Sequence, residues 1–240
     1  MARACVCDDY FTVDSDTGEL CLKPGTMGLR RVVVHNDPGT FQFRKADFPW
    51  LARVFVRVQG GGGGSAGANA AANQCIVRPG GAGGGYSEQL IAASSLGAVE
   101  TIVVGAGGDA GGTATSGGAG GSSSFGGFVT ANGGDGGHSI QTSGTVADVS
   151  SGAAAPFAGR GQFAQGGAPG GGAIRLNGTN GISGAGGESY LGHGGQARAS
   201  EGNGTGPRGF GAGAGGGLSY GGSVNGAPGG GGCVIVELYG

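Results

Sequence analysis

The chain has 240 residues, a formal net charge of −2 and 65 glycines. Eight prolines and no sustained Gly-X-Y phase rule against collagen, and the acidic balance rules against a nucleic-acid footprint. No apolar run is long enough to cross a membrane as a helix.

The opening, "MARACVCDDYF", meets Asp8 and Asp9 before any apolar core, so no signal peptide is expected and the chain is expected to be made in the cytoplasm. Its five cysteines are then expected to be reduced. Cys5 and Cys7 form a lone C-x-C with no second pair or nearby histidine, which reads as structural and not as a zinc site. Residues 1 to 59 carry eight of the 13 basic and seven of the 15 acidic residues, and read as short β elements. "YFTVDSDTGELCLKPG" predicts a hairpin turning at Asp14–Gly18 and stopped by Pro24-Gly25. "RRVVVHN" predicts a strand ended by Asn36-Asp37-Pro38-Gly39. "TFQFRK" puts Phe41 and Phe43 on one face, and "DFPWLARVFVRVQ" resumes as a strand after Pro49. No helical period is present.

Only Gly18, Gly25, Gly28 and Gly39 precede residue 60; beyond it the chain is close to one-third glycine. The tracts fall at 60–64, 80–85, 105–112, 117–121, 133–137, 166–172, 184–187, 211–217 and 229–232. A flexible linker is one reading. Against it, apolar groups keep interrupting: Ile91, Ile102–Val104, Phe125, Phe128, Ile174, Leu176, Ile182 and Phe210. "ETIVVGAG" and "GAIRLNG" predict strands between tracts, and the end, "GGGGCVIVELYG", mirrors the entry "RVFVRVQGGGGG". These two strands are expected to share a sheet and bring the ends of the glycine-rich part together. An ordered glycine lattice is available in the polyproline-II conformation. Its three-residue turn has no internal hydrogen bonds, so packed neighbours must satisfy its backbone groups. The expected fold is therefore all-β and irregular. A small N-terminal β module (1–52), serving attachment or assembly, precedes a bundle of packed polyglycine II helices (53–240) clamped by its first and last strands.

The order "VFVRVQGGGGGSAG", "PGGAGGGYSEQLI", "ETIVVGAGGDAGG", "GGAGGSSSFGGFVTANGGDGG" and "VIVELYG" resembles the glycine-rich tail-tip proteins of bacteriophages and prophages, especially those of actinomycetes. The shared marks are the strand-to-polyglycine entry, Ser123-Ser124-Phe125-Gly126 and the terminal strand. The resemblance covers about residues 50–240, and "DYFTVDSDTGELCLKPG" looks like the N-terminal part of such proteins. In logic the chain is also similar to the polyglycine-bundle adhesins of some T-even-like long tail fibres. The resemblance implies a virion protein at the tail tip that leaves the host by lysis. It would recognise a host cell-surface glycan or wall polymer, and residues 1–59 would join other tail or fibre proteins. A purely architectural component without receptor contact is the alternative. A homotrimer and a single chain are both open.

An adhesin would make contact through loops on a rigid scaffold. Three stretches qualify: 138–165, 188–210 and 218–225. Aromatic and arginine side chains carry most binding energy, so Tyr190, Tyr220, Arg160, Arg198, His193 and Arg208 are the receptor-binding candidates. Phe157, Phe163 and Phe210 read instead as anchors sealing the bundle ends. No catalytic residue is expected. "GAGGDAGG" follows a strand but no helix follows it, no G-x-S-x-G sits between strand and helix, and the acids of the glycine-rich part, such as Asp135 and Glu188, are few. A wall-degrading enzyme is the remote third reading. His35, His138 and His193 have no ligand spacing, so no metal or cofactor is expected. The sequons at Asn177 and Asn203 read as incidental.

Overall fold

A computed structural model describes residues 9–23 and 25–240; the C-x-C at Cys5 and Cys7 lies outside the described residues. The described chain is all-β, its only helical elements being short 3-10 turns at Lys45–Asp47 and Ala93–Ser95. In chain order the strands begin with β1 (Phe11–Val13), β2 (Leu20–Leu22), β3 (Leu29–His35), β4 (Gly39–Arg44) and β5 (Arg53–Gln59). Then come β6 (Ala68–Asn69), β7 (Ile76–Val77), β8 (Tyr86–Ala92), β9 (Val99–Val104), β10 (Ser123–Phe125) and β11 (Val129–Ala131). The remainder are β12 (Asp148–Ser150), β13 (Phe163–Gln165), β14 (Ala173–Arg175), β15 (Gly181–Ile182), β16 (Gly192–His193), β17 (Arg208–Gly209), β18 (Leu218–Ser219), β19 (Ser223–Val224) and β20 (Cys233–Tyr239).

The entry and exit strands pair along their whole length, as their mirrored sequences predict: β5 and β20 are antiparallel from Cys233↔Gln59 to Tyr239↔Arg53. The reason is their shared period. Val54, Val56 and Val58 lie opposite Leu238, Val236 and Val234, and all six side chains are fully buried. This pair is the centre of a five-stranded sheet ordered β13-β8-β5-β20-β3, which shares one core with a four-stranded sheet ordered β11-β10-β9-β4. Phe43, Ile102, Phe125 and Val129 come into that core from the second sheet. Strands on both sides of residue 52 therefore build both sheets, and the composition break does not coincide with a break in packing. Phe43 is buried in this common core, and Val33 and Phe41 pack against it. The β1–β2 hairpin forms where its turn residues predict it, with the Asp14 carboxylate accepting from the backbone N–H of Asp16 and Thr17.

Between the strands the glycine tracts run without regular ladders. The tract after β5 shows how they are held. Gly60 and Gly63 donate their N–H to Gly85 and Ala82; Gly61 and Gly64 donate to Gly121 and Gly118; Gly62 and Ser65 donate to Gly230 and Ala227. The carbonyls of the same tract accept with the same spacing: Gly61 and Gly64 from Gly134 and Gly137, Gly62 and Ser65 from Gly108 and Gly111, and Gly63 from Ala214. A β-strand turns its backbone groups alternately to two sides. Here the direction returns every third residue, so one tract bonds to six others. Tract 80–85 repeats the pattern, donating to 168–171, 211–214 and 132–135.

Absence of a side chain, and not conformational freedom, is what these positions need. None of Gly60 to Gly64 has a positive φ. A Cβ on Gly62 would stand 2.1 Å from the Ala212 carbonyl oxygen, and one on Gly63 would stand 2.0 Å from that of Asp135. Outer tracts are looser: Ala106, Asp109 and Ala110 in tract 105–112 all reach solvent.

The tracts shuttle between two ends. At the sandwich end, the buried Gln59 amide donates to the carbonyls of Gly84 and Gly85, both at 2.9 Å, and Ser123 Oγ accepts from Gly105 N–H at 2.9 Å. At the far, distal end the short strands β6, β7, β18 and β19 close two small cores, Ala68–Ala70–Ile76–Val224 and Cys75–Val77–Ala173–Leu218. Cys75 and Cys233 are buried and burial raises both thiols, Cys233 to about 11, whereas Cys21 is exposed. At pH 8 iodoacetamide is expected to label Cys21 in the native protein and to spare Cys75 and Cys233 until denaturant is added, as read by peptide mass spectrometry.

Candidate functional site

The distal end is built on a buried arginine. Arg175, in β14, is 6 % exposed. Its guanidinium donates to the carbonyls of Val146 at 2.7 Å, Cys75 at 2.9 Å and Thr142, and pairs with Asp148 at 3.4 Å. The 142–148 stretch and the turn before β7 are thereby tied to one side chain of β14. Arg78 works alike deeper in the bundle, donating to Gly67 and Gln141 carbonyls at 2.8 Å each. Burial lowers its pKa to about 10, which leaves it charged at neutral pH.

Above Arg175, the strands β12, β14 and β15 form a three-stranded sheet. Because Arg175 points in, its neighbours Ile174 and Leu176 point out. Val149, Ile174 and Ile182 stand opposite one another across the three strands, and are 73 %, 43 % and 45 % exposed. Leu176, at 62 %, extends the row.

The six candidate contact residues divide between the two ends. Tyr220 and Arg198 are distal. The Tyr220 hydroxyl donates to the Ala199 carbonyl at 3.0 Å, its N–H donates to Glu201 Oε1, and its ring packs on the Cys75–Leu218 cluster. Burial is the first cause of its raised pKa. The backbone N–H of Arg198 donates to Ser183 Oγ at 2.8 Å and its guanidinium donates to the Asn203 carbonyl. Both side chains are half-buried and pin the 198–203 loop.

Tyr190, His193, Arg208 and Arg160 lie toward the sandwich. Tyr190 stacks on the buried ring of Tyr86, centroids 4.0 Å apart and planes 19° apart. The Tyr86 hydroxyl donates to Glu88 at 2.6 Å, and burial with that carboxylate pushes its pKa up. His193 pairs with Glu188 at 2.9 Å and stands opposite Arg208 across β16 and β17. Arg160 is exposed, and its backbone bridges to Thr130 of β11. Two of the three phenylalanines differ from their expected role: Phe157 is 90 % exposed and seals nothing, and Phe163 is half-exposed on the edge strand β13, whereas Phe210 is half-buried.

The family model for a glycine-rich domain matches residues 37–239. The chain belongs to this glycine-rich domain family. The match starts just before β4, so the glycine-rich domain takes in strands that precede the glycine tracts as well as the tracts themselves. No curated protein matches the chain. The distal row within the glycine-rich domain was not among the expected contacts. Those were chosen for aromatic and cationic character, whereas the row is aliphatic. The only signal for it is the four-residue alternation Ala-Ile-Arg-Leu at 173–176, which does not say which face is covered.

Proposed function

We propose that this chain is a tail-tip structural protein of a bacteriophage or tail-like particle, and that it recognises the bacterial host surface through loops on a polyglycine scaffold. The observation that carries the reading is the division of the molecule into two ends. The paired first and last strands of the glycine-rich part sit at one end, and the side-chain-bearing loops 138–150, 173–182, 198–203 and 218–225 sit at the other. The connecting tracts are packed polyglycine II helices in this reading. The three-residue return of their hydrogen bonds supports it, as does the absence of positive φ in Gly60 to Gly64. Six residues at about 3.1 Å each would hold the two ends roughly 19 Å apart. A bundle bonded on six sides suits a stiff spacer.

Residues 1–59 would join other tail proteins. The β1–β2 hairpin suits that role, because Tyr10, Val13, Leu20 and Leu22 are all exposed and an isolated hairpin is marginal in water. The protein would act by binding a glycan or wall polymer, without turnover, as a virion component.

The purified chain is expected to bind actinomycete cells and to compete with phage adsorption. Failure of both would end the adhesin reading and leave the architectural one. Double substitution of Tyr220 and Arg198 should weaken cell binding more than that of Tyr190 and Arg208, because only the first pair lies at the distal end.

A further inference from the structure

We infer that the outward face of the distal three-stranded sheet is a lipid-contact surface, with the Val149–Ile174–Ile182 row and Leu176 taking the acyl chains of a lipid layer. The inference rests on the distal end being the contact end.

The row is a single surface. Cross-strand neighbours on one face lie about 5 Å apart, and the register places the three β-branched side chains side by side. Val146, 74 % exposed, borders it through the loop whose carbonyl holds Arg175. The surface is also rigid before any partner arrives, because Arg175 holds the strands and loops from beneath through Cys75, Thr142, Val146 and Asp148. Pre-organisation of this kind lowers the cost of binding.

Chemistry and area select the occupant. The four side chains of the row offer no donor, acceptor or charge. The nearest ion pair, Arg175 with Asp148, is spent on the sheet itself. A sugar polymer needs hydrogen bonds and aromatic faces, and an anionic headgroup needs free cations; the row supplies neither. At the exposures above, the four side chains present on the order of 400 Å² of apolar surface, a size that on monomers is often functional. A stable protein pair buries about 800 Å² on each partner, so the row is too small to hold a second copy by itself. An aliphatic surface of this size without charge matches acyl chains at a lipid–water boundary. The inference is of contact with a surface; among the described residues no helix is long and apolar enough to cross a membrane.

The test is flotation of the full chain with zwitterionic phosphatidylcholine vesicles at low and high salt. The chain should float equally at both, and Ile174→Ser with Leu176→Ser should reduce the bound fraction at least about tenfold, as loss of that much apolar contact requires. A second variant, Ile182→Trp, keeps the row apolar. Its added emission should shift to the blue on vesicles and be quenched by brominated acyl chains, against the constant background of Trp50 in the sandwich. No flotation, flotation abolished by salt, flotation untouched by the serine pair, or a tryptophan that brominated chains do not quench would each overturn the inference. So would a dimer that dissociates in the serine variant. Cell binding without vesicle binding would remove the lipid surface and leave the adhesin reading standing; vesicle binding without cell binding would do the reverse.

Discussion

Gly62→Ala is expected to destabilise the protein by about 3 kcal/mol, the upper end of overpacking costs, whereas Gly231→Ala is expected to stay within about 0.5 kcal/mol. The two differ by a single methyl in similar sequence. At Gly62 the new carbon would meet the Ala212 carbonyl oxygen at 2.1 Å, its carbon at 2.4 Å and the Gly211 oxygen at 2.6 Å. All three are backbone atoms that cannot rotate away. Moving them would break the bonds that the Ala212 and Gly211 oxygens accept from the Gly230 and Gly84 N–H groups, and leave buried groups unpaired. At Gly231 nothing lies within 4 Å and φ is not positive. There an alanine would even restrict the unfolded chain slightly. A thermal melt should show a fall of roughly 6–12 °C for Gly62→Ala and almost none for Gly231→Ala. Equal effects would mean that the glycines serve chain flexibility and not close approach.

Arg175→Met is expected to cost about 3 kcal/mol, because three carbonyls, that of the buried Cys75 among them, would lose their shared donor at ~1 kcal/mol or more each. The substitution keeps much of the side chain's volume, so the loss reports hydrogen bonding and not a cavity. Its effect should be concentrated. Amide exchange should accelerate at Asp148–Ser150, Ala173–Arg175 and Gly181–Ile182, and remain slow in β5 and β20. Arg160→Ala is the control, since its side chain is exposed and only its backbone is bonded. Uniform acceleration across the sandwich would show that the distal sheet is not a separate unit held by Arg175.

Much of the sandwich was legible. "RVFVRVQ" and "CVIVELY" alternate with the two-residue period, and a strand buried on one face must find a partner with the same period. Phe41 and Phe43 declared their face in the same way, although only Phe43 is fully buried. Tyr86–Ala92, the strand beside β5, was not legible. "YSEQLIA" mixes acid, amide and aliphatic residues without clear alternation, and its edge partner β13 pairs Phe163 with Glu88 from 75 residues further along. The candidate site was legible in composition but not in place. Aromatic and arginine side chains stood out one by one, and nothing local says that Tyr190 and Tyr220 belong to different ends.

By itself the sequence determined that the middle of the chain packs backbone against backbone, and that its first and last strands close on each other. Glycine at one residue in three leaves no other way to order the tracts, and matched alternation leaves few other partners for the strands. Only the tertiary structure decided which tract lies beside which. Glycine tracts carry no side chains to set a register, so any tract can bond to any other. The choice is made at their ends, where the side chains of Gln59, Arg78, Ser123 and Arg175 fix the neighbours through hydrogen bonds to particular backbone groups. The same ordering brings Val149, Ile174 and Ile182 into one exposed row from three separate stretches of chain.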